Sequence, residues 1–282
     1  LTANVKSLVV YPDDLFETVK WHDGSPLSAG DFVMNMILSF DPGKTESKMY
    51  DEALALSINA TLSAFKGYRI VSTDPLTIEA YSDTYNTNAE LNILTLWPQD
   101  LYGLGYENSW PVLAVSNLAE VNGELAYSED KAGALEVEQT NWVGGPSLEV
   151  LGKYLDQAAT ESHIPYAATM SQFVTKEEAD LRYANLKQWV ADHGHYMVGT
   201  GPYYLDQAFT TEKSVVLKHF ADFPDLADRW SQFSEPKLAT TLLDGPGQVK
   251  SGAEAMFDVT INFKDEPYLL SDIARVKYIL YD

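Results

Sequence analysis

The sequence predicts a mixed α+β fold whose last part turns all-β, and three patterns predict it. Phe32, Val33, Met36, Ile37 and Phe40 recur at helical spacing behind a helix-start signal. Leu76, Ile78 and Ala80 alternate with Thr77, Glu79 and Tyr81, the period of a half-buried strand. From about Leu242 helical signals cease. Phe257, Val259, Ile261 and Phe263 then alternate with polar residues, and Val276 to Tyr281 returns as a second strand-like run. Residues 1–241 therefore read as a helix-and-sheet body, and 242–282 as the opening of an Ig-like β-sandwich.

Composition narrows the function classes. A chain of 282 residues can bury a sizeable core in one or two domains, and 45% hydrophobic residues exclude disorder. Forty-one acidic against 19 basic residues give a charge of -22, which repels phosphate backbones and excludes nucleic acid as a partner. The same acidity keeps a protein soluble and identifies no ligand. With no cysteine there are no disulfides and no thiolate zinc sites, as in many exported bacterial proteins. No run approaches the ~18–20 apolar residues of a membrane span. No basic segment followed by an apolar one marks a signal peptide. A start at Leu1-Thr2-Ala3-Asn4 and an end inside a strand-like run read as an excerpt of a longer protein.

Along the chain, Leu8-Val9-Val10-Tyr11 is a short apolar run stopped by Pro12-Asp13-Asp14, and Leu15 to Trp21 reads as a strand. Asp23-Gly24 is a turn dipeptide, since Gly24 tolerates φ > 0. Ser28 three residues ahead of Asp31 forms a capping box with a short acid, and Asp41-Pro42-Gly43 stops the helix that follows. Lys48 to Phe65 reads as a second helix. Tyr68 to Asp74 and Leu76 to Tyr81 read as strands around an Asp-Pro turn. Asn86 to Trp97 is a further apolar element ending at Pro98. Glu129 to Glu138 is acidic and polar, Gly144-Gly145-Pro146 breaks the chain, and Leu148 to Thr160 is helical. Thr175 and Glu178 cap a firmer helix with Ala179, Tyr183, Leu186 and Val190 as its buried stripe and Gly194 as its stop. Gly199-Thr200-Gly201-Pro202 turns into a strand at Tyr203, paired with Ser214 to His219.

Two of these stretches carry a resemblance. Trp21-His22-Asp23-Gly24-Ser25-Pro26-Leu27-Ser28-Ala29-Gly30-Asp31-Phe32-Val33 resembles the signature of bacterial family 5 extracellular solute-binding proteins, the peptide, nickel and oligosaccharide receptors of ABC importers. Gly199-Thr200-Gly201-Pro202-Tyr203-Tyr204-Leu205 resembles that family's second, downstream motif, and Asp74 and Thr77 match a hairpin pair. Gly30 replaces the family's usual Glu or Gln, a change expected to cost helix stability and nothing else. The likeness covers about residues 5–99 and 174–240, leaving 100–172 as a lineage-specific insertion. It implies part of a type II periplasmic-binding-protein-like fold, outside the cell or in the periplasm and membrane-anchored in the full-length protein. It implies a binder and not an enzyme, without cofactor. The solute, most readily an oligopeptide, would be delivered to a membrane permease. An oligosaccharide receptor, a secreted glycan-active enzyme and a non-binding scaffold or adhesion module are the alternatives. In the family a large lobe follows the second motif, so the excerpt by itself is expected to bind neither peptide nor sugar tightly.

Among candidate residues, Tyr50 stands just after the first helix, where related receptors place a cleft-facing aromatic. Tyr85 and Trp97 are further ligand-contact candidates. Trp21, Asp23, Gly24, Gly199, Gly201 and Pro202 read as architecture: a packing body, a turn and a fixed corner. His193 and His195 flank Gly194, and His22 adjoins Asp23, but zinc needs a third ligand that no spacing supplies. His193 at a helix end suits the dipole as a cation. Asp13-Asp14, Glu177-Glu178 and Asp222/Asp225 are turns and helix starts before they are a glycosidase pair. No nucleophile elbow and no phosphate loop occurs.

Overall fold

The computed structural model describes residues 2–84, 87, 108–233, 238–264 and 266–279. They form two compact units, Leu1–Pro224 and Asp225–Asp282. Residues 241 and 242, the division drawn from sequence, lie inside the second unit's first strand.

The first unit begins with β1 (Val5–Val10). The expected strand at Leu15–Trp21 is instead a short helix, α1 (Leu15–Thr18), and strand character survives only as a bridge from Lys20 to Pro26. Pro12-Asp13-Asp14 acts as a helix start as well as a strand stop. The Leu15 amide donates to the Pro12 carbonyl, and the Thr18 amide and hydroxyl both donate to the Asp14 carbonyl. The Asp23-Gly24 turn forms as read, with Gly24 at φ +81° and the Ser25 amide donating to Asp23 Oδ1.

Helix α2 (Ala29–Leu38) follows Ser28, whose amide donates to Asp31 Oδ2 at 3.0 Å, and a 3-10 turn at Asp41–Gly43 closes it. Gly30 does more than loosen this helix. A Cβ there would stand 2.4 Å from Val174 Cγ2, so the missing side chain lets buried Val174 approach. Helix α3 (Glu52–Ala64), capped by Asp51, buries only Ala55 and Ile58. It leads into the hairpin of β2 (Phe65–Thr73) and β3 (Leu76–Ser82), which turns at a cis Asp74–Pro75 bond. The antiparallel sheet runs β1-β3-β2, with Val9 and Ile70 both opposite Ile78. The apolar element Asn86–Trp97 lies, apart from Thr87, outside the described residues, as does Tyr85.

Helix α4 (Trp110–Val121) is buried along nearly its whole length. After β4 (Leu125–Ala126), α5 (Glu129–Leu135) and β5 (Glu138–Gln139) come α6 (Ser147–Glu161), α7 (Ala167–Met170) and α8 (Lys176–His193). Helix α4 packs against α2, α6 and α8, so the stretch expected to be an insertion supplies a helix central to this unit. One core joins Trp21, Phe32 and Met34 with Leu76, Ile78, Trp110, Leu113, Leu151, Tyr183 and Leu186. In α8, Thr175 Oγ1 accepts the Glu178 amide, Gly194 stops the helix at φ +73°, and Trp189 is buried beside Val190, which is partly buried against the core. β6 (Tyr203–Phe209) and β7 (Ser214–His219) pair as an antiparallel hairpin.

The second unit is a three-stranded antiparallel sheet in the order β10-β9-β8, from β8 (Thr240–Asp244), β9 (Asp258–Phe263) and β10 (Glu266–Pro267). None of its described residues is buried. The strand expected at Val276–Tyr281 does not form over 276–279. β9 already has a neighbour on each edge, and Tyr278 and Ile279 are 92% and 87% exposed.

Candidate functional site

The two motif stretches meet inside the first unit. The His22 amide donates to the Gly199 carbonyl (2.8 Å), the Gly199 amide donates to His22 Nδ1 (3.1 Å), and His22 Nε2 lies 2.9 Å from the Gly201 carbonyl. An acceptor at Nδ1 leaves the proton on Nε2, so the ring is the neutral tautomer. Burial holds its pKa below the ordinary 6.5, opposed by the Gly201 bond. A Cβ at Gly199 would stand 3.1 Å from His22 Cε1, a contact tight enough to displace the ring by a few tenths of an ångström. Pro202 offers its carbonyl to the Phe220 amide. His195 repeats the arrangement, with Nδ1 accepting the Met197 amide and Nε2 at 2.9 Å from the Leu205 carbonyl. Burial lowers its pKa as well. Both rings commit both nitrogens to backbone, which leaves neither a lone pair for a metal. No group of three or more His, Asp or Glu fit to hold a metal occurs among the described residues.

Beneath this corner Asp31 gathers five donors. Oδ1 accepts the Trp110 amide (3.0 Å) and Arg182 Nη2 (2.8 Å). Oδ2 accepts the Trp21 indole N–H (3.1 Å), the Ser28 amide (3.0 Å) and Arg182 Nη1 (3.3 Å). Arg182 is wholly enclosed and also donates to the Pro26 carbonyl at 2.8 Å. A buried ion pair is tolerable only when further hydrogen bonds support it. Here every Asp31 oxygen and both Arg182 Nη atoms are bonded, while Arg182 Nε is buried without a partner. Trp21 is thus both the packing body expected and a donor to the acid.

Tyr50 is half-buried and follows a loop tied to Asp41. Asp41 Oδ2 accepts the Ser47 and Tyr166 hydroxyls, each at 2.8 Å, and Ser47 Oγ accepts the Met49 amide. Beside the loop is a cavity of about 260 Å³ walled by Met49, Ala114, Leu118, Val121 and Pro165, with Asp41, Ser47, Lys48, Asn117, His163 and Tyr166 as its polar members. Asn117 is buried. Its Oδ1 accepts the Tyr127 hydroxyl, and its Nδ2 has no partner. Burial lowers the pKa of His163, favouring a neutral ring. An apolar slot with one free amide donor suits a small apolar group next to a carbonyl. A wider groove of about 580 Å³ lies between α2 and β2, where Phe40 stacks on Phe65 at 5.0 Å and Tyr68 adjoins both.

The fold thus joins the Trp21–Gly24 stretch to Gly199–Pro202 through His22; Tyr50 follows Met49 of the slot without lining it itself, and Tyr85 and Trp97 lie outside the described residues. Sequence reasoning missed Arg182, although it shares the stripe of Ala179, Tyr183 and Leu186, where a charge needs a buried partner. Asn117 and His163 gave no sequence signal. No protein-family model matches the chain, and no curated protein matches it.

Proposed function

We propose that the chain belongs to the solute-capturing component of an ABC importer, with an oligopeptide as solute and a membrane permease as the acceptor of the loaded form. The body would be part of a type II periplasmic-binding-protein-like fold, with an Ig-like segment opening near residue 242. The reading rests on two short motifs, and the observation that carries it is the His22 clamp. Segments separated by 177 residues in sequence are bonded through one imidazole, as two supports of a single body would be. Hinge closure around the solute would then present a closed surface to the permease. In this reading the slot beside Tyr50 receives an apolar side chain of the peptide, and Asn117 Nδ2 donates to a peptide carbonyl.

The test is capture from a mixed pool of di- to hexapeptides and oligosaccharides by the protein purified from its native source, read by mass spectrometry. Enrichment of peptides, lost in Tyr50→Ala and Asn117→Leu, is the expected result. Enrichment of sugars favours the oligosaccharide receptor. Retention of neither, or hydrolysis of a chromogenic glycoside, overturns the proposal.

A further inference from the structure

A second cavity, of about 460 Å³, opens beside the His22 clamp and is absorbed by none of the roles above. Trp189, Tyr204 and Phe220 contribute aromatic walls. The Trp189 and Tyr204 rings meet edge-on at 5.7 Å, and Phe220 meets His22 edge-on at 4.9 Å. Asp23, Asp192 and Asp222 also line it, and no Lys or Arg does. Two of these acids have partners: Asp192 accepts the Gln188 amide on both oxygens, and Asp222 pairs with Lys20 at 2.8 Å. Asp23 differs. Its Oδ1 accepts the Ser25 amide, while its buried Oδ2 has no hydrogen-bond partner. Trp189 is 5% exposed, and its indole N–H is buried without an acceptor. Leaving such a group unpaired costs about 1–3 kcal/mol, and here the residues that carry an unpaired acceptor and an unpaired donor, Asp23 and Trp189, line the same cavity.

We propose that this cavity binds a small primary ammonium compound with an aromatic or apolar body and at least one acceptor oxygen. Asp23 Oδ2 receives the ammonium, the rings of Trp189, Tyr204 and Phe220 wall the body and face the cation, and the Trp189 N–H donates to the oxygen. Three carboxylates, with no Lys or Arg among them and His22, His193 and His219 alongside, disfavour anions. Burial raises the Asp23 carboxyl above its ordinary pKa, opposed by the charge of Arg182 and by hydrogen bonds from Ser25. The site lies within the first unit and does not depend on the importer reading.

The probe is phenylalaninol, cationic at pH 7.5, titrated against the whole chain by calorimetry and tryptophan fluorescence. The neutral control is 3-phenylpropane-1,2-diol. Saturable binding of the amine, at least about tenfold tighter than the diol, is the expected result. Asp23→Asn keeps the Oδ1 acceptor for Ser25 and removes only the charge, so it should weaken the amine about tenfold and leave the diol unchanged. Trp189→Phe keeps a ring, removes the donor and should weaken both about two- to tenfold. Equal affinity for amine and diol, no saturation, or a folded Asp23→Asn protein that binds the amine like wild type would each overturn the proposal. Should Asp23→Asn not fold, the comparison of amine with diol on the wild-type protein still decides it.

Discussion

Up to Pro224, Trp21, Trp110, Leu113 and Leu151 are enclosed to within 1% of complete burial. From Asp225 onward, Leu242, Leu243, Met256 and Tyr278 stand largely in solvent. Both units contain alternating strands with apolar residues at every second position, so alternation alone does not decide burial. In the first unit Leu76 and Ile78 of the central strand join a core completed by α2, α4, α6 and α8. Among its described residues the second unit is one sheet without a covering layer of its own, and a single layer has no interior for either face. Helices, more than strand pattern, separate the two.

Substitutions can break or sharpen that contrast. The largest effect is expected from Arg182→Met, which leaves the Asp31 carboxylate charged and enclosed and should cost about 3–5 kcal/mol in denaturant unfolding. The double variant Asp31→Leu/Arg182→Met should not recover stability, because the Trp21 indole, Ser28 amide and Trp110 amide would still lack their acceptor. Recovery to within about 1 kcal/mol of wild type would show that the pair is an isolated charge bridge. Gly30→Ala drives a methyl into Val174 and should cost about 1–3 kcal/mol. A neutral result there would mean that α2 and Val174 separate freely.

His22→Phe keeps the ring but leaves the Gly199 amide and Gly201 carbonyl unpaired, for about 1 kcal/mol at pH 7.5. Its pH signature is sharper. Because burial lowers the folded-state pKa of His22 below 6.5, the unfolded chain takes up the proton first. The histidine's contribution is complete above pH 6.5 and is lost as pH falls through the folded value. The wild-type advantage in melting temperature should therefore shrink from pH 7.5 to 5, and a constant gap would count against the neutral clamp. The smallest effect is expected in the second unit. Leu242→Ser, at a position 65% exposed, should shift stability by less than about 0.5 kcal/mol. A loss of several times that size would mean that the sheet hides a face.

Much of the first unit was legible because its signals are local. Gly24, Thr175 and Gly194 fix turns and helix ends through their own neighbours, and the predicted hairpins at Asp74-Pro75 and at 203–219 lie within a few residues of their limits. The segment at 15–18 was misread because Leu-Phe-Glu-Thr after Pro-Asp-Asp suits a helical turn as well as a strand, and the preceding carbonyls decided between them. The candidate site was legible only where a motif marked it. Gly30 looked like a mere loss of propensity, since nothing near it in sequence announces Val174 at its Cα. Arg182 and Asn117 acquire meaning only from partners far away in the chain, a kind of information that periodicity does not hold.

The Asp31 node also sets a timetable for synthesis. The carboxylate leaves the ribosome 151 residues ahead of the guanidinium that neutralises it. Until that arginine emerges, drawing the acid out of water has no compensating charge, so the early chain is expected to keep its front helix undocked. A nascent chain halted before residue 182 should accordingly stay open to protease around Trp21, and one extended past the close of α8 should become resistant in a single step.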